Sequence, residues 1–422
     1  MQKLIHKHYQ RHKETIHNFI WRSLQIFAKQ GITFLIFILC AKLLTPYEFG
    51  VYNYALAIIF FLIMFGDFGI STATSKYVAE YNATDKNKLK LILFNSGIII
   101  LGLTIIVTIL TLIIGPGYLQ DKYIYVLWLL PLVFLAPMTS LYDGIYRGLK
   151  RFKQLAIISL ILGFISLFFV YFLIKQYGLV GALVSQNLFY FILLLGVAFG
   201  YKEFHLKWNS EIMKNIGKYS IIVGIGSVGL FLYTRIDIIF LGTYNFINEI
   251  AYYEIINKIL LILLLPSTII SQIISPTITK YYELKQFSKI KDKFKKYFLF
   301  SLLLSLIITF LVFVFYKPII SLIFPQYDLK LLSIIFNLML IVYFTQILNG
   351  IIPTGFAIST GHAKITTSFL VIFGFIHVFL NYLFINLYGF IGIIYSIIIT
   401  KSTTDIIFLY YYWRKISKLN GK

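Results

Sequence analysis

Ionisable side chains stand inside stretches of this chain that are otherwise apolar enough to lie in a membrane: Lys29, Asp67, Arg235, Asp237, Glu254, Lys258, Lys401 and Asp405. A charge at membrane depth costs a few kcal/mol or more, so by default it faces protein or a water-filled interior. Arg22, Gln25, Lys29 and Thr33 recur at i, i+3, i+7 and i+11, which places them on one helix face. That stripe predicts a cavity lining. Lys29 sits roughly 9 Å deeper than Ser23 at the helical rise, at the edge of the range over which a lysine can reach back to the interface. Asp67, with Ser71 and Thr74 at i+4 and i+7, either pairs with Lys29 across a helical hairpin or faces a lumen, and pairing is favoured. Arg235 and Asp237 are two residues apart, about 200° round a helix, and cannot form a pair on one face. At least one of them must meet a polar group elsewhere, and Gly224, Gly226 and Gly229 predict a bend or close packing just before them. Glu254/Lys258, Lys401/Asp405 and Asp143/Arg147 all have i, i+4 spacing and can close as ion pairs. Lys258 and Lys401 also lie near mid-span, where a lysine can meet an anion. Asn187, Asn349, His377 and Asn381 read as hydrogen-bonding glue between helices.

Other chemistries find no support. Paired carboxylates, a Ser/His/Asp set and a metal cluster with usable spacing are all missing. The one cysteine, Cys40, lies inside an apolar span, which removes both a disulfide framework and a thiolate metal site. Gly224-Ile225-Gly226 lacks the lysine and the strand context of a phosphate-binding loop. No catalytic residue and no cofactor is expected. The four histidines of residues 1–22 (His6, His8, His12, His17) could hold zinc, but with five basic residues beside them they fit better on an interfacial helix on anionic lipid.

The elements that must position these charges follow from composition. Hydrophobic residues make up 59% of the 422, and charged residues 13%, about half of what a soluble domain carries. An all-α polytopic membrane protein is therefore expected. The apolar runs give twelve spans near 23–44, 51–75, 89–114, 123–146, 154–174, 178–200, 217–243, 248–275, 297–316, 329–356, 364–385 and 389–412. The first opens the chain's dominant feature, two spans joined by the polar corner Thr45-Pro46-Tyr47-Glu48-Phe49-Gly50, and it reads as a retained span, being too long for a signal-peptide core. Lys and Arg total 29 in the loops on the side of the termini and 4 in the opposite loops (Lys122, Lys175, Lys317, Lys330). Both termini are thus expected in the cytoplasm. The net charge of +22 follows this topological pattern and gives no reason to expect nucleic acid. The run Tyr410-Tyr411-Tyr412-Trp413-Arg414-Lys415 reads as an interface belt.

Two halves are legible. Residues 172–181 return at 384–392 with one residue fewer, Phe49-Gly50-Val51-Tyr52 is echoed by Ile250-Ala251-Tyr252-Tyr253, and Lys76-Tyr77 by Lys280-Tyr281. The offsets, between about 200 and 212, predict two six-span lobes, 1–210 and 211–422. An even number of spans per copy makes them parallel repeats, with a substrate site near the midplane.

The stretch Ala41–Tyr52, with Gly66-Asp67-Phe68-Gly69-Ile70 and Lys76-Tyr77-Val78-Ala79-Glu80-Tyr81, resembles the opening of Wzx-type polysaccharide flippases of the MATE-like MOP superfamily, and Arg235-Ile236-Asp237 followed by Leu241-Gly242 resembles their seventh span. The resemblance implies a V-shaped, two-lobed transporter in the bacterial inner membrane. Its cargo would be a polyprenyl-pyrophosphate-linked oligosaccharide of O-antigen (lipopolysaccharide), capsule or exopolysaccharide, flipped by alternating access. It implies a cationic cavity at Lys29, Arg235, Lys258, Lys401 and Arg22. The acids Asp67, Asp237, Glu254 and Asp405 become coupling or structural groups, with a proton or sodium gradient as the candidate drive. Membrane lipids, a polysaccharide polymerase and a chain-length regulator are the implied partners. A MATE drug/cation antiporter shares the fold but usually carries an acid in the first span, where this chain has Lys29. A membrane glycosyltransferase or polymerase needs long acidic outer loops, which are missing here. A lipid II flippase carries two further spans.

Overall fold

The computed structural model describes the backbone of residues 2–418 and the side chains of residues 20–27 and 29–418, so the expectations for the histidine-rich lead lie outside the described side chains. Among the described residues there are fifteen α-helices and no strand. They are α1 (Gln2–Leu43), α2 (Pro46–Asp67), α3 (Ile70–Thr84), α4 (Lys86–Leu119), α5 (Tyr123–Leu129), α6 (Leu132–Gly148), α7 (Phe152–Phe199), α8 (Ser210–Thr234), α9 (Ile236–Thr243), α10 (Ile247–Ile262), α11 (Leu265–Glu283), α12 (Phe287–Ile323), α13 (Leu329–Asn349), α14 (Ala363–Tyr388) and α15 (Phe390–Ser417). Ten helical stretches are long and apolar enough to cross a membrane. Counting the 17-residue α6 and the two arms of α7 separately gives the twelve spans expected.

Several spans are broken where they were expected to be continuous. The second changes direction after Asp67, where Phe68 (φ 36°) and Gly69 (φ 81°) take left-handed backbone before α3 begins. The seventh breaks at Arg235, the eighth at Leu263–Leu264, and the tenth passes through a π turn at Pro353–Ala357. The polar corner is a capping box: the Thr45 hydroxyl accepts from the Glu48 N–H at 3.3 Å, the Glu48 carboxylate accepts from the Thr45 N–H at 2.9 Å, and Pro46 stands at the first helical position. Asp85 and Asp328 cap α4 and α13 in the same sense.

The chain forms two compact units, Met1–Ser227 and Val228–Lys422, parting within α8. The repeat is visible inside each. Gly178 (φ 54°, ψ −129°) turns α7 back on itself, and Gly389 (φ 60°, ψ −141°) turns α14 into α15. An added Cβ at Gly181 would collide with the carbonyl oxygen of Leu173, and one at Gly392 with that of Phe384, so the two arms meet at the same place in both copies. Residue for residue the offset is 211, and the buried face Gly163, Ser166, Val170, Ile174 of one copy returns as Gly374, His377, Asn381, Ile385 in the other. The one-residue deletion read from the sequence is therefore corrected: Leu173 matches Phe384 and the repeats run without a gap. Each unit has its own apolar core, built around Ile92, Leu141, Tyr146 and Ile216 in the first and around Ile278, Phe294, Phe356 and Tyr412 in the second. The apolar residues left exposed, such as Ile113 and Leu322, are what a hydrocarbon solvent accommodates.

Candidate functional site

The densest set of buried charges lies in the C-terminal unit. α8 ends at Thr234, Arg235 leaves helical geometry (φ −137°, ψ −12°), and α9 restarts at Ile236. This step lets two residues that would point apart on one helix both find partners. Arg235 Nη1 donates to both carboxylate oxygens of Glu254 on α10, at 3.3 Å each. Glu254 Oε1 also accepts from Asn257 Nδ2 at 3.2 Å, and Asn257 Oδ1 accepts from the Tyr343 hydroxyl at 2.7 Å. Asp237 accepts from the Tyr253 hydroxyl and, through Oδ1, from the Ile238 N–H at 3.0 Å.

Lys401 on α15 is 6% exposed and lies within electrostatic range of Asp237, Asp405 and Glu254. Asp405, one turn on, accepts from Asn349 Nδ2 at 2.8 Å and Thr345 Oγ1 at 3.2 Å. Lys258 follows Glu254 by one turn of α10 and feels both its charge and that of Arg235. The set holds three cations and three carboxylates, which balance in their ordinary charge states. Among the described residues the Lys401 ammonium makes no ion pair at contact distance. Buried charges are stable only when paired or hydrogen-bonded, and here every carboxylate is held by donors.

Glu254 interacts electrostatically with Lys258 one turn on in α10, and it also binds Arg235, because the helix break brings the guanidinium within reach. The Lys401/Asp405 pair is corrected by these contacts. The Asp405 carboxylate is taken by donors from α13, and no ion pair joins it to Lys401 among the described residues. The third pair forms, Arg147 Nε to Asp143 Oδ2 at 2.8 Å.

In the N-terminal unit Arg22 hydrogen-bonds Gln25 Oε1 and lies 3.9 Å from Asp143 Oδ1, which also accepts from Gln25 Nε2 at 3.4 Å. Gln25, Lys29, Thr139, Asp143 and Ser159 line a narrow cleft with about 20 Å³ of room, close to what one water needs. Lys29 is solvent-accessible on α1, and its carbonyl accepts from Thr33 Oγ1 at 2.8 Å. The expected Lys29–Asp67 pair is not formed among the described residues. Asp67 ends α2 and accepts from the Ser71 N–H at 3.0 Å and from the Ser71 hydroxyl, so it caps the turn into α3. The Asp67–Ser71 spacing thus marks the break in the second span.

The structure thus gathers Arg235, Asp237, Glu254, Lys258, Lys401 and Asp405 in one unit, and joins Arg22 to Asp143 in the other, with Lys29 on the same cleft. Reasoning from sequence missed Tyr253, Asn257, Tyr343 and Thr345. Asn257 carried a signal, three residues after Glu254 on the same face; the tyrosines and the threonine carried none among so many span residues of their kind. Of the residues read as glue, Asn187 donates to the Trp128 carbonyl at 2.6 Å, Asn349 bonds Asp405, and His377 Nδ1 meets the Leu232 carbonyl at 3.1 Å.

A family profile described as polysaccharide biosynthesis protein matches residues 15–282, well over half of the chain, and a MatE profile matches residues 222–383. No curated protein matches. Among solved structures, the chain is similar to an inward-facing multidrug-resistance MATE transporter of the MOP superfamily, at 15% identity and TM-score 0.75 over 94% of this chain and 98% of that one. It is also similar to an outward-facing one, at 16% identity and TM-score 0.62 over 95% and 96%. A third is a MOP superfamily transporter from Pyrococcus furiosus, at 17% identity and TM-score 0.63 over 96% of each chain, described as having a binding pocket of reversed polarity that suggests a different function. These likenesses show the fold.

Proposed function

The chain belongs to the polysaccharide biosynthesis protein family and has the fold of MOP-superfamily transporters, and from that premise we propose that it is a flippase for a polyprenyl-pyrophosphate-linked oligosaccharide. The observation that carries this reading is the buried ammonium of Lys401, which lies near Asp237, Asp405 and Glu254 without a contact ion pair among the described residues. A pyrophosphate has charge and oxygens to offer such a group. The oligosaccharide head is polar and cannot cross hydrocarbon unaided, whereas a polar route lets the head pass while the polyprenyl tail stays in lipid. Arg235 has a second role in this reading, since its guanidinium holds Glu254 and α10 in place.

The cargo would be the repeat unit of O-antigen, capsule or exopolysaccharide, moved across the bacterial inner membrane by alternating access. The 29-to-4 bias of basic residues supports cytoplasmic termini. Asp67, Asp237, Glu254 and Asp405 are the carboxylates through which a proton or sodium gradient would act. A polymerase and a chain-length regulator would receive the product. The MatE match over 222–383 supports a rival, a drug antiporter. Against it stands Lys29 in the first span, where such antiporters usually carry an acid, and a pocket of reversed polarity is reported for the Pyrococcus relative.

The deciding measurement is lipid-linked oligosaccharide on the cytoplasmic leaflet of cells lacking the protein. Wild type is expected to clear the intermediate, and Lys401→Ala and Lys29→Ala, at normal membrane levels, to leave it. If deletion leaves the intermediate untouched and sensitises cells to cationic drugs, the antiporter reading replaces this one.

A further inference from the structure

The α14–α15 hairpin differs from its repeat in the polarity of its seam. In the first copy Ser166 and Ser185 satisfy their hydroxyls on their own helix, donating to the Leu162 and Ala182 carbonyls at 2.7 Å each. Val170 and Phe189 fill the other two matching positions and are buried. In the second copy the same four positions are His377, Asn381, Ser396 and Thr400, all 1% exposed or less. Here His377 Nε2, Asn381 Nδ2 and Oδ1, Ser396 Oγ and Thr400 Oγ1 have no hydrogen-bond partner among the described residues.

The hairpin brings these groups level. Counting from the turn at Gly389, Asn381 lies eight residues before it and Ser396 seven after; His377 lies twelve before and Thr400 eleven after. The contact between Gly392 and the Phe384 carbonyl fixes that register at the turn, and α14 packs along α15 and against α9. His377 is within electrostatic range of Lys401, the residue after Thr400.

A buried hydroxyl or amide left without a partner costs on the order of 1–3 kcal/mol, and five such atoms on two packed helices call for a partner. The donor and acceptor types select it. His377 Nδ1 faces the Leu232 carbonyl at 3.1 Å and so carries the proton, which leaves Nε2 as an acceptor. Asn381 presents a donor and an acceptor together. A metal ion would serve its Oδ1 and leave Nδ2 orphaned, and an anion would do the reverse. Only a molecule that both donates and accepts serves all five atoms. Among the described residues no group of three or more His, Cys, Asp or Glu side chains is placed to hold a metal ion.

We propose that ordered water, shared by His377, Asn381, Ser396 and Thr400, is a fixed constituent of the α14–α15 seam and hydrates the ground beside Lys401. The inference is independent of what the protein transports. Its consequence is a wet seam in the C-terminal unit where the matching seam of the N-terminal unit is dry.

The test uses the purified full-length protein and the variants Thr400→Val and Ser396→Ala, single and combined. Val has the shape of Thr and Ala is smaller than Ser, so neither overpacks the seam. With bridging water, each single variant lowers the melting temperature, and the double variant loses less than the sum because the shared water is lost once. Unchanged or raised melting temperatures would overturn the proposal, since removing a truly orphaned hydroxyl is neutral or stabilising. Additive losses would overturn the shared site. A repeat of the series in sodium and in choline provides the remaining arm: a sodium-specific rise that Thr400→Val abolishes would replace water with a bound cation.

Discussion

At the scale of single residues the buried charges have unequal roles. Arg235 and Glu254 hold each other, so Glu254→Ala should cost on the order of 3–5 kcal/mol of stability by leaving the guanidinium without its partner. Replacing both, as Arg235→Met with Glu254→Leu, should restore most of the loss, because a well-packed apolar pair can match a buried ion pair. Thermal unfolding of the single and double variants in detergent checks this, and a double variant no more stable than Glu254→Ala would refute it. Under the flippase proposal that restored protein should still fail to clear the lipid-linked intermediate. What the sequence revealed of this site was the membership of Arg235, Asp237, Glu254, Lys258, Lys401 and Asp405, because charge in an apolar run is conspicuous. What it concealed was the pairing. The i, i+4 rule presumes a continuous helix and local partners; the break at Arg235 gave Glu254 a further partner outside its helix, and the donors arriving from α13 overrode the rule at Asp405.

At the scale of elements, glycines and caps set where the long apolar runs end. Gly389→Ala should destabilise by about 1–3 kcal/mol, since φ +60° with ψ −141° lies beside a backbone region that is essentially glycine's alone. Gly392→Ala should do worse, because its Cβ has nowhere to go but into the Phe384 carbonyl. Gly178→Ala and Gly181→Ala should repeat that order in the first copy, and equal losses at all four positions in unfolding experiments would contradict it. Thr45→Ala should cost about 1 kcal/mol through loss of the capping box, with Thr45→Ser close to neutral. The corner at Thr45 and the turns at Gly178 and Gly389 were legible because Pro, Gly and capping residues interrupt hydrophobic runs. The turn after Asp67 was not. Its αL residue is Phe68, a type that gives no warning of left-handed backbone, and Gly69 alone was compatible with continuous helix.

At the scale of the whole molecule, the number of spans and their repeat follow from hydropathy and charge bias, and the topology can be read out chemically. Cys40 is buried and its thiol inaccessible, so new cysteines meet little background. Lys175→Cys and Lys317→Cys are expected to react with an impermeant maleimide in intact spheroplasts, and Lys150→Cys and Lys289→Cys only after permeabilisation. The reverse pattern would invert the proposed orientation.

The arrangement of charges also constrains how the chain is made. Arg235 is synthesised 19 residues before Glu254, about the length of one span, so the insertion machinery can hold the seventh and eighth spans together and release them as a neutral pair. Asp237 and Lys401, 164 residues apart, have no such opportunity. Until the last span emerges, the Asp237 carboxylate has the Tyr253 hydroxyl and the Ile238 N–H as partners but lacks the nearby charge of Lys401. The electrostatic surroundings of Asp237 are therefore completed only when the final helix has been made.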